Sequence, residues 1–245
     1  MTLIELIETS AARLTEAGVC FGHGTTNARD EAAWLVLWSL GLALDTELEG
    51  PQSQEMRPIS AAENEKCATL IEARIASRKP AAYLTREAWL QGVSFYVDER
   101  VIVPRSLIAE LLVEGGLDYW LSEDTHVLLD LCTGNGSLAV IAALVYPETT
   151  VDATDISTDA LAVAAINVER HHLGDRVHLV ESDGLMALQK TYDLILCNPP
   201  YVNAESMSAL PLEYQAEPAI ALDGNRSGGA DGMDLSAAFS QTYPG

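Results

Sequence analysis

Clustered cysteines and histidines are missing from this sequence. The four cysteines stand far apart, at positions 20, 67, 132 and 197 of 245 residues, and the five histidines do not complete a site with them. A disulfide framework and a zinc site both need such clusters, so the spacing argues against both. We therefore expect no metal ion, and we expect a reducing compartment, the cytoplasm.

Long apolar segments are missing as well. The longest uncharged apolar run, Ala32 to Leu44, has thirteen residues, whereas a membrane-spanning helix needs about 20. The N-terminus is acidic and has no basic region before an apolar stretch, so it is unlike a signal peptide. A membrane is therefore not an expected partner.

Basic side chains are scarce. The chain has 14 Lys and Arg against 36 Asp and Glu, a net charge of −22, and residues 81–245 alone carry 7 basic and 24 acidic side chains, net −17. Phosphate backbones repel such a protein, so direct binding to nucleic acid is not expected. A basic protein partner would instead be attracted to this acidic chain. Solubility alone explains the charge at least as well.

Residues 1–80 predict a small helical domain that binds or positions a partner. Apolar residues recur at helical spacing from Leu3 to Leu14, and a second, more buried helix is predicted over Asp30–Leu44. A third begins at the capping box Ser60–Glu63 and ends before Pro80. Plain structural support is the alternative role for this domain.

Residues 81–110 predict a hairpin linker, and residues 111–245 a catalytic domain. Alternating apolar residues on both sides of Asp98–Arg100 indicate the hairpin. Beyond it, strands are predicted at 126–131, 150–154, 177–180 and 192–197, with helices at 137–145 and 158–171. This alternation predicts the α/β class, a parallel sheet with helices on its faces and a ligand site at the carboxyl ends of its strands.

A glycine-rich turn, Asp130-Leu-Cys-Thr-Gly-Asn-Gly136, follows the first strand of this sheet. Glycines suit a tight strand-to-helix turn that a ligand approaches closely. Alone, the pattern also fits a dinucleotide fold. The carboxylate of Asp130 would receive the ammonium of a methionine moiety and repel a pyrophosphate, so the acid and the turn together favour S-adenosylmethionine over NAD.

Acids also follow the next two strands. Asp155 is predicted to accept hydrogen bonds from both ribose hydroxyls, with a helix cap as the alternative. Asp183 is a candidate for the exocyclic amine of adenine, although an ordinary turn explains it almost as well. The predicted cofactor-binding set is Asp130, Thr133, Gly134, Asn135, Gly136, Asp155, Ile156, Asp183 and Asn198.

The motif Asn198-Pro199-Pro200-Tyr201 directly follows the last predicted strand. Its prolines fix the backbone and remove donors, which leaves carbonyls free to accept hydrogen bonds. The Asn198 side-chain oxygen and the Pro199 carbonyl would hold the two hydrogens of an amide nitrogen, and Tyr201 offers a flat face to a planar group. These four residues are the predicted catalytic motif; a rigid turn that ends a strand is the alternative.

With these motifs the chain resembles the glutamine N5-methyltransferases that modify release factors and ribosomal proteins, and within them the branch that acts on the third protein of the large ribosomal subunit. Branch-specific stretches are Phe21–Thr25, Asn27–Glu31, Pro80–Leu84 and Phe95–Ser106. The resemblance implies a Rossmann-like class I S-adenosylmethionine-dependent methyltransferase sheet behind a helical domain, with a basic ribosomal protein as substrate. It also implies that Asn198–Tyr201 cradle the acceptor glutamine and that Pro104-Arg105 lie near the site.

Two departures from the family pattern lie towards the C-terminus. The segment Leu222–Asp234 looks several residues longer than its counterpart in the family. The resemblance also implies three further strands, and the terminal Phe239–Gly245 does not look like the first of them. We therefore expect an incomplete catalytic domain with an unpaired strand edge.

Two other functions are open at this point. Enzymes that methylate adenine amines of nucleic acid also place the base on an Asn/Asp-Pro-Pro-aromatic motif. The acidic charge and the lack of a basic recognition segment weigh against this function. The second alternative is a non-catalytic, truncated homologue that keeps the helical domain for partner binding.

Overall fold

The computed structural model describes residues 1–225 and 228–234 and contains two compact units. The first consists of Met1–Arg86 together with Pro211–Ala216, and the second of Glu87–Leu210 together with the residues from Glu217 onward. The division into domains at residues 80 and 110 stays a prediction. None of the described helices is both long and apolar enough to cross a membrane.

The first unit is helical, and its three long helices confirm those predicted. They are α1 (Leu3–Glu16), α2 (Ala28–Leu40) and α3 (Ala61–Ser77), followed by the short α4 (Ala81–Thr85). The helix predicted over 30–44 is shorter, because Gly41 ends α2 at φ +68°, a left-handed conformation that glycine adopts without strain.

Apolar side chains of α1, α2 and α3 form the core of this unit. Each fully buried leucine or isoleucine stabilises the fold by about 1.5–3 kcal/mol. The capping box predicted at Ser60–Glu63 is present in both directions and fixes the start of α3. The fully buried leucine, isoleucine and valine residues are Leu3, Ile7, Leu14, Leu35, Val36, Leu37 and Ile71.

The second unit begins with a hairpin whose turn differs from the prediction. Strands β1 (Ala88–Leu90) and β2 (Val93–Phe95) pair in antiparallel fashion, so the chain reverses at Gln91-Gly92 and the turn predicted at Asp98–Arg100 was wrong. Gln91 and Gly92 have φ of +49° and +75°, as a two-residue type I′ turn requires.

A four-stranded parallel sheet forms the centre of the second unit. Its strands are β3 (Val127–Leu131), β4 (Thr150–Asp155), β5 (Val177–Glu181) and β6 (Leu194–Cys197), in the order β5-β4-β3-β6. The α/β class and the parallel sheet are confirmed. Helix α5 (Leu107–Val113) precedes the sheet, while α6 (Ser137–Val145) and α7 (Thr158–Arg170) connect its strands at the predicted positions.

The strand order places the ligand-binding end of the sheet. The chain adds β4 and β5 on one side of β3 and then returns to add β6 on the other side. Ligands of open α/β sheets bind at the carboxyl ends of the strands beside such a reversal. Leu131 and Cys197 are register partners there, so the glycine turn and the Asn-Pro-Pro-Tyr motif leave the sheet side by side.

Two short helices follow the last strand. Helix α8 (Ala204–Ser208) belongs to the second unit, whereas α9 (Leu212–Gln215) belongs to the first. A parallel bridge between Val202 and Asp223 brings the chain back beside the Asn-Pro-Pro-Tyr motif. The segment Leu222–Asp234 is described except for positions 226 and 227, and Phe239–Gly245 lie outside the described residues.

Candidate active site

A pocket of about 930 Å³, including the part open to solvent, lies at the carboxyl ends of the strands. Residues of the loop 100–106, of the turns after β3 and β4, and of the chain after β6 line it. No three His, Cys, Asp or Glu side chains of the described chain are placed to share a metal ion.

Different structural features explain the two glycines of the turn after β3. Gly136 has φ +81°, and a Cβ there would lie 3.1 Å from the Cβ of Ala164 on α7, so close helix packing requires glycine. Gly134 has φ +57°, but a Cβ there would meet no described atom within 4 Å. Gly134 lines the pocket, so its backbone is open to close approach by a ligand.

Asp155 lines the pocket at the end of β4 and supports the glycine turn. Its Oδ2 accepts a hydrogen bond from the Gly134 N–H at 2.9 Å, and its Oδ1 accepts one from the Ser157 N–H at 2.9 Å. Each carboxylate oxygen has a further lone pair. Asp155 can therefore hold the turn and accept ribose hydroxyls; the ribose contact stays a prediction.

Asp130 is buried beneath the glycine turn, with 1% of its surface exposed, and is not among the pocket-lining residues. Its Oδ2 accepts hydrogen bonds from the Thr133 hydroxyl at 2.5 Å and from the Ala139 N–H at 3.0 Å. Its Oδ1 has no hydrogen-bond partner in the described chain. Burial raises the pKa of this carboxyl to about 7. The structure thus makes Asp130 an anchor of the turn, and its contact with a ligand ammonium stays a prediction.

The Asn-Pro-Pro-Tyr motif contributes Asn198 and Pro200 to the pocket. The Asn198 side chain is half-buried and makes no hydrogen bond within the described chain, so its amide oxygen remains available as an acceptor. Tyr201 is 63% exposed and, like Pro199, is not among the lining residues. The backbone after the motif is fixed by hydrogen bonds from Val202 N to Leu222 O and from Gly224 N to Val202 O.

Most of the other predicted cofactor residues also line the pocket, namely Thr133, Asn135 and Ile156. Asp183 does not: it is exposed, and its neighbours Ser182 and Gly184 line the pocket instead. The expected proximity of Pro104 and Arg105 is confirmed, because both line the pocket.

The polar side chains that hold the loop 96–106 were missed by the sequence analysis. Asn167 of α7 is fully buried, donates to the carbonyls of Tyr96 and Asn135, and accepts from the Tyr96 N–H. Glu217 is also buried and accepts from the Val103 N–H at 2.9 Å. These residues carry no local motif, so only the spatial contacts identify them.

Part of the chain is similar to a known family and to solved structures. Residues 110–214 match the family model described as a methyltransferase small domain. The N-terminal domain of human METTL16, solved with SAH, covers 68% of this chain and 65% of its own length, with 16% identity and a TM-score of 0.40.

Curated relatives match over nearly the whole chain. The ribosomal protein uL3 glutamine methyltransferase of Bordetella pertussis is 50% identical over 100% of this chain and 80% of its own length. The enzyme of the same name from Neisseria meningitidis serogroup A is 48% identical over 95% of this chain and 75% of its own length. The chain therefore belongs to the ribosomal protein uL3 glutamine methyltransferase family.

Proposed function

We propose that this chain transfers the methyl group of S-adenosylmethionine to the side-chain amide nitrogen of a glutamine in ribosomal protein uL3. The observation that carries the proposal is the side-chain amide of Asn198, which makes no hydrogen bond within the described chain and lines the same pocket as Gly134 and Asp155. The names of the curated relatives support the identity of the acceptor protein.

The pocket fits S-adenosylmethionine, which supplies an electrophilic methyl group on a sulfonium. The open backbone at Gly134 would admit the cofactor, and the spare lone pairs of Asp155 would accept its ribose hydroxyls. The Oδ1 of Asp130 has no hydrogen-bond partner in the described chain and stays the predicted acceptor for its ammonium, although Asp130 does not line the pocket. Ser182 and Gly184, which line the pocket, would meet the adenine. Asp183, which lies between them outside the lining, stays the predicted acceptor for the adenine amine.

Asn198 and Pro199 would position the acceptor amide. An amide nitrogen is a weak nucleophile because its lone pair is delocalised, so catalysis consists mainly of holding that lone pair in line with the methyl group. The Asn198 Oδ1 and the Pro199 carbonyl would each accept one amide hydrogen, and Tyr201 would support the planar group. The nitrogen loses its proton only as it becomes positive, so a histidine base is not needed.

The charge of the chain favours a basic protein as partner over nucleic acid. No Lys or Arg occurs in the 64 positions between Arg105 and Arg170, although Glu and Asp are frequent there. An acidic surface attracts basic ribosomal proteins over several ångströms and repels phosphate backbones. We place the reaction in the cytoplasm, where ribosomal proteins are made.

The proposal is tested by labelled-methyl transfer to uL3 with each of its glutamines replaced in turn. Asn198→Ala removes one of two positioning acceptors and should lower kcat by about 10²-fold or more. Asn198→Asp should keep part of the activity, since a carboxylate still accepts. Asn203→Ala is the matched control, because this asparagine lies in the same segment but caps α8 and does not line the pocket.

Two outcomes would contradict the proposal. Full activity of Asn198→Ala would remove the assigned role of the motif. Label that survives replacement of every glutamine, or label in nucleic acid instead of protein, would show that the acceptor is wrong.

A further inference from the structure

Among the described residues that line the pocket, positive side chains outnumber negative ones, although the proposed ligand is a cation. Three charged residues are among those that line it: Arg100, Arg105 and Asp155. S-adenosylmethionine carries a positive sulfonium, whereas the product S-adenosylhomocysteine carries a neutral sulfur. Two uncompensated guanidinium groups in the wall would therefore disfavour the cofactor relative to the product.

A buried carboxylate neutralises Arg105. Glu217, whose side chain is fully buried, accepts hydrogen bonds from both terminal nitrogens of Arg105, each at 2.7 Å. This fork-to-fork geometry is the strongest form of an Arg–carboxylate pair. Glu217 does not itself line the pocket. It therefore neutralises the charge of Arg105 from outside the pocket.

A second carboxylate neutralises Arg100 in the same way. Asp98 accepts from Arg100 Nε at 2.9 Å and from its terminal nitrogen at 2.7 Å. The guanidinium and hydrogen bonds from the Arg100 backbone and Tyr96 hold the pKa of Asp98 at about 2. Asp98 is buried and also lies outside the pocket lining.

We propose that Glu217 and Asp98 are specificity-determining counter-ions, which neutralise the two pocket arginines so that a sulfonium cation is accepted. The inference rests on the proposed use of S-adenosylmethionine. The aliphatic parts and the backbone of the two arginines can then form the pocket wall without repelling the ligand. Both carboxylates act through their arginines and touch neither the acceptor nor the cofactor.

The test compares binding of S-adenosylmethionine and S-adenosylhomocysteine by calorimetry in the wild type and in Glu217→Gln. Glutamine keeps an acceptor for the Val103 N–H but removes the charge. The ratio of the two dissociation constants should shift against S-adenosylmethionine by about three- to tenfold, as expected for one uncompensated charge in the pocket wall. The shift should shrink as salt is added.

Sinefungin gives a second measure of the charge effect. In this analogue an amine replaces the methyl sulfonium of S-adenosylmethionine, so the positive charge is kept. Its affinity should fall together with that of S-adenosylmethionine. The double variant Glu217→Gln/Arg105→Gln removes both charges and should restore the wild-type ratio. Glu63→Gln, which breaks the Arg57 pair in the helical unit, is the matched control and should leave the ratio unchanged.

The outcomes separate this inference from the proposed function. Equal losses for both ligands in Glu217→Gln would reduce the pair to a structural support and overturn the inference. If Glu217→Gln does not fold, Asp98→Asn gives the same comparison through Arg100, and an unchanged ratio there overturns it equally. A wild-type protein that binds neither ligand would instead refute the proposed function.

Discussion

Arg74 in the helical unit and Asp130 in the sheet unit are both buried ionisable side chains, but their surroundings differ. In the helical unit the side chain of Arg74 is fully buried and lies between two buried carboxylates. Its Nε is 2.8 Å from Glu31 Oε1, and its Nη1 is 3.6 Å from Glu213 Oε1. Arg78 adds a second contact to Glu213 at 2.9 Å. Burial raises the pKa of Glu31, and Arg74 opposes that shift.

The second unit buries Asp130 without a cation. Only a hydroxyl and a backbone N–H hydrogen-bond to this carboxyl, and one of its oxygens has no partner in the described chain. A buried acid of this kind costs stability. The contrast teaches that the paired charges around Arg74 fix the packing of the helical unit, whereas the buried Asp130 of the sheet unit is only partly satisfied within the described chain.

The largest effect is expected from removing Arg74, the buried cation that contacts both Glu31 and Glu213. Arg74→Met leaves Glu31 and Glu213 buried without their shared cation, and loss of one partner of a buried pair costs about 3–5 kcal/mol. Denaturant unfolding measures the change. Arg29→Met, which removes exposed pairs with Glu8 and Glu49, should cost less than about 1 kcal/mol. Equal costs for the two variants would show that burial does not make the Arg74 network stronger than the exposed pairs of Arg29.

Asp130→Asn tests the uncompensated acid. Because the folded pKa of Asp130 is about 7 and its usual value is 3.8, the native state holds its proton more tightly than the unfolded state. Stability from this group is present below about pH 4 and is lost as the pH rises through about 7. The unfolding free energy of the wild type minus that of the variant should therefore fall by on the order of 4 kcal/mol over that range.

Unfolding curves at several pH values measure this difference. Asp159→Asn, at an exposed acid in the first turn of α7, is the control and should track the wild type. A difference between wild type and Asp130→Asn that does not change with pH would show that the acid is already ionised in the folded protein.

The smallest effect is expected for the affinity of the pocket. Asp155→Ala removes the proposed ribose acceptors, and each hydrogen bond to a charged group contributes about 1.5–3 kcal/mol. Affinity for S-adenosylmethionine should fall at least about tenfold in calorimetry. Asp159→Ala, on the neighbouring helix, should bind as the wild type does. Unchanged affinity in Asp155→Ala would remove it from the site.

Local signals in the sequence were sufficient for most elements of both units. Helical periodicity and the Ser60–Glu63 capping box located α3, and the alternation of strands and helices predicted the parallel sheet. The glycine turn and Asn198 could be proposed for the pocket because each directly follows a strand, and parallel strands end at one edge of the sheet. These features depend on neighbours only a few residues apart.

The hairpin shows where a local pattern misleads. Val97, Val101 and Val103 are buried, which gave the alternation, yet they lie in no strand of the described chain. Side chains from elsewhere in the chain hydrogen-bond to this part of the backbone. Asn167 accepts from the Tyr96 N–H and donates to the Tyr96 carbonyl, and Glu217 accepts from the Val103 N–H. Burial alternation therefore does not require strand pairing.

The sequence alone determined the class of the fold, the order of its elements and the motifs at the ends of β3, β4 and β6. Only the tertiary structure decided which buried polar groups meet. Glu213 binds the Cys20 N–H across 193 positions, Glu217 binds Arg105 across 112, and Asn167 binds Tyr96 across 71. A carboxylate or amide at such a distance carries no local pattern, because its partner is selected by the need to satisfy every buried donor and acceptor of the packed chain.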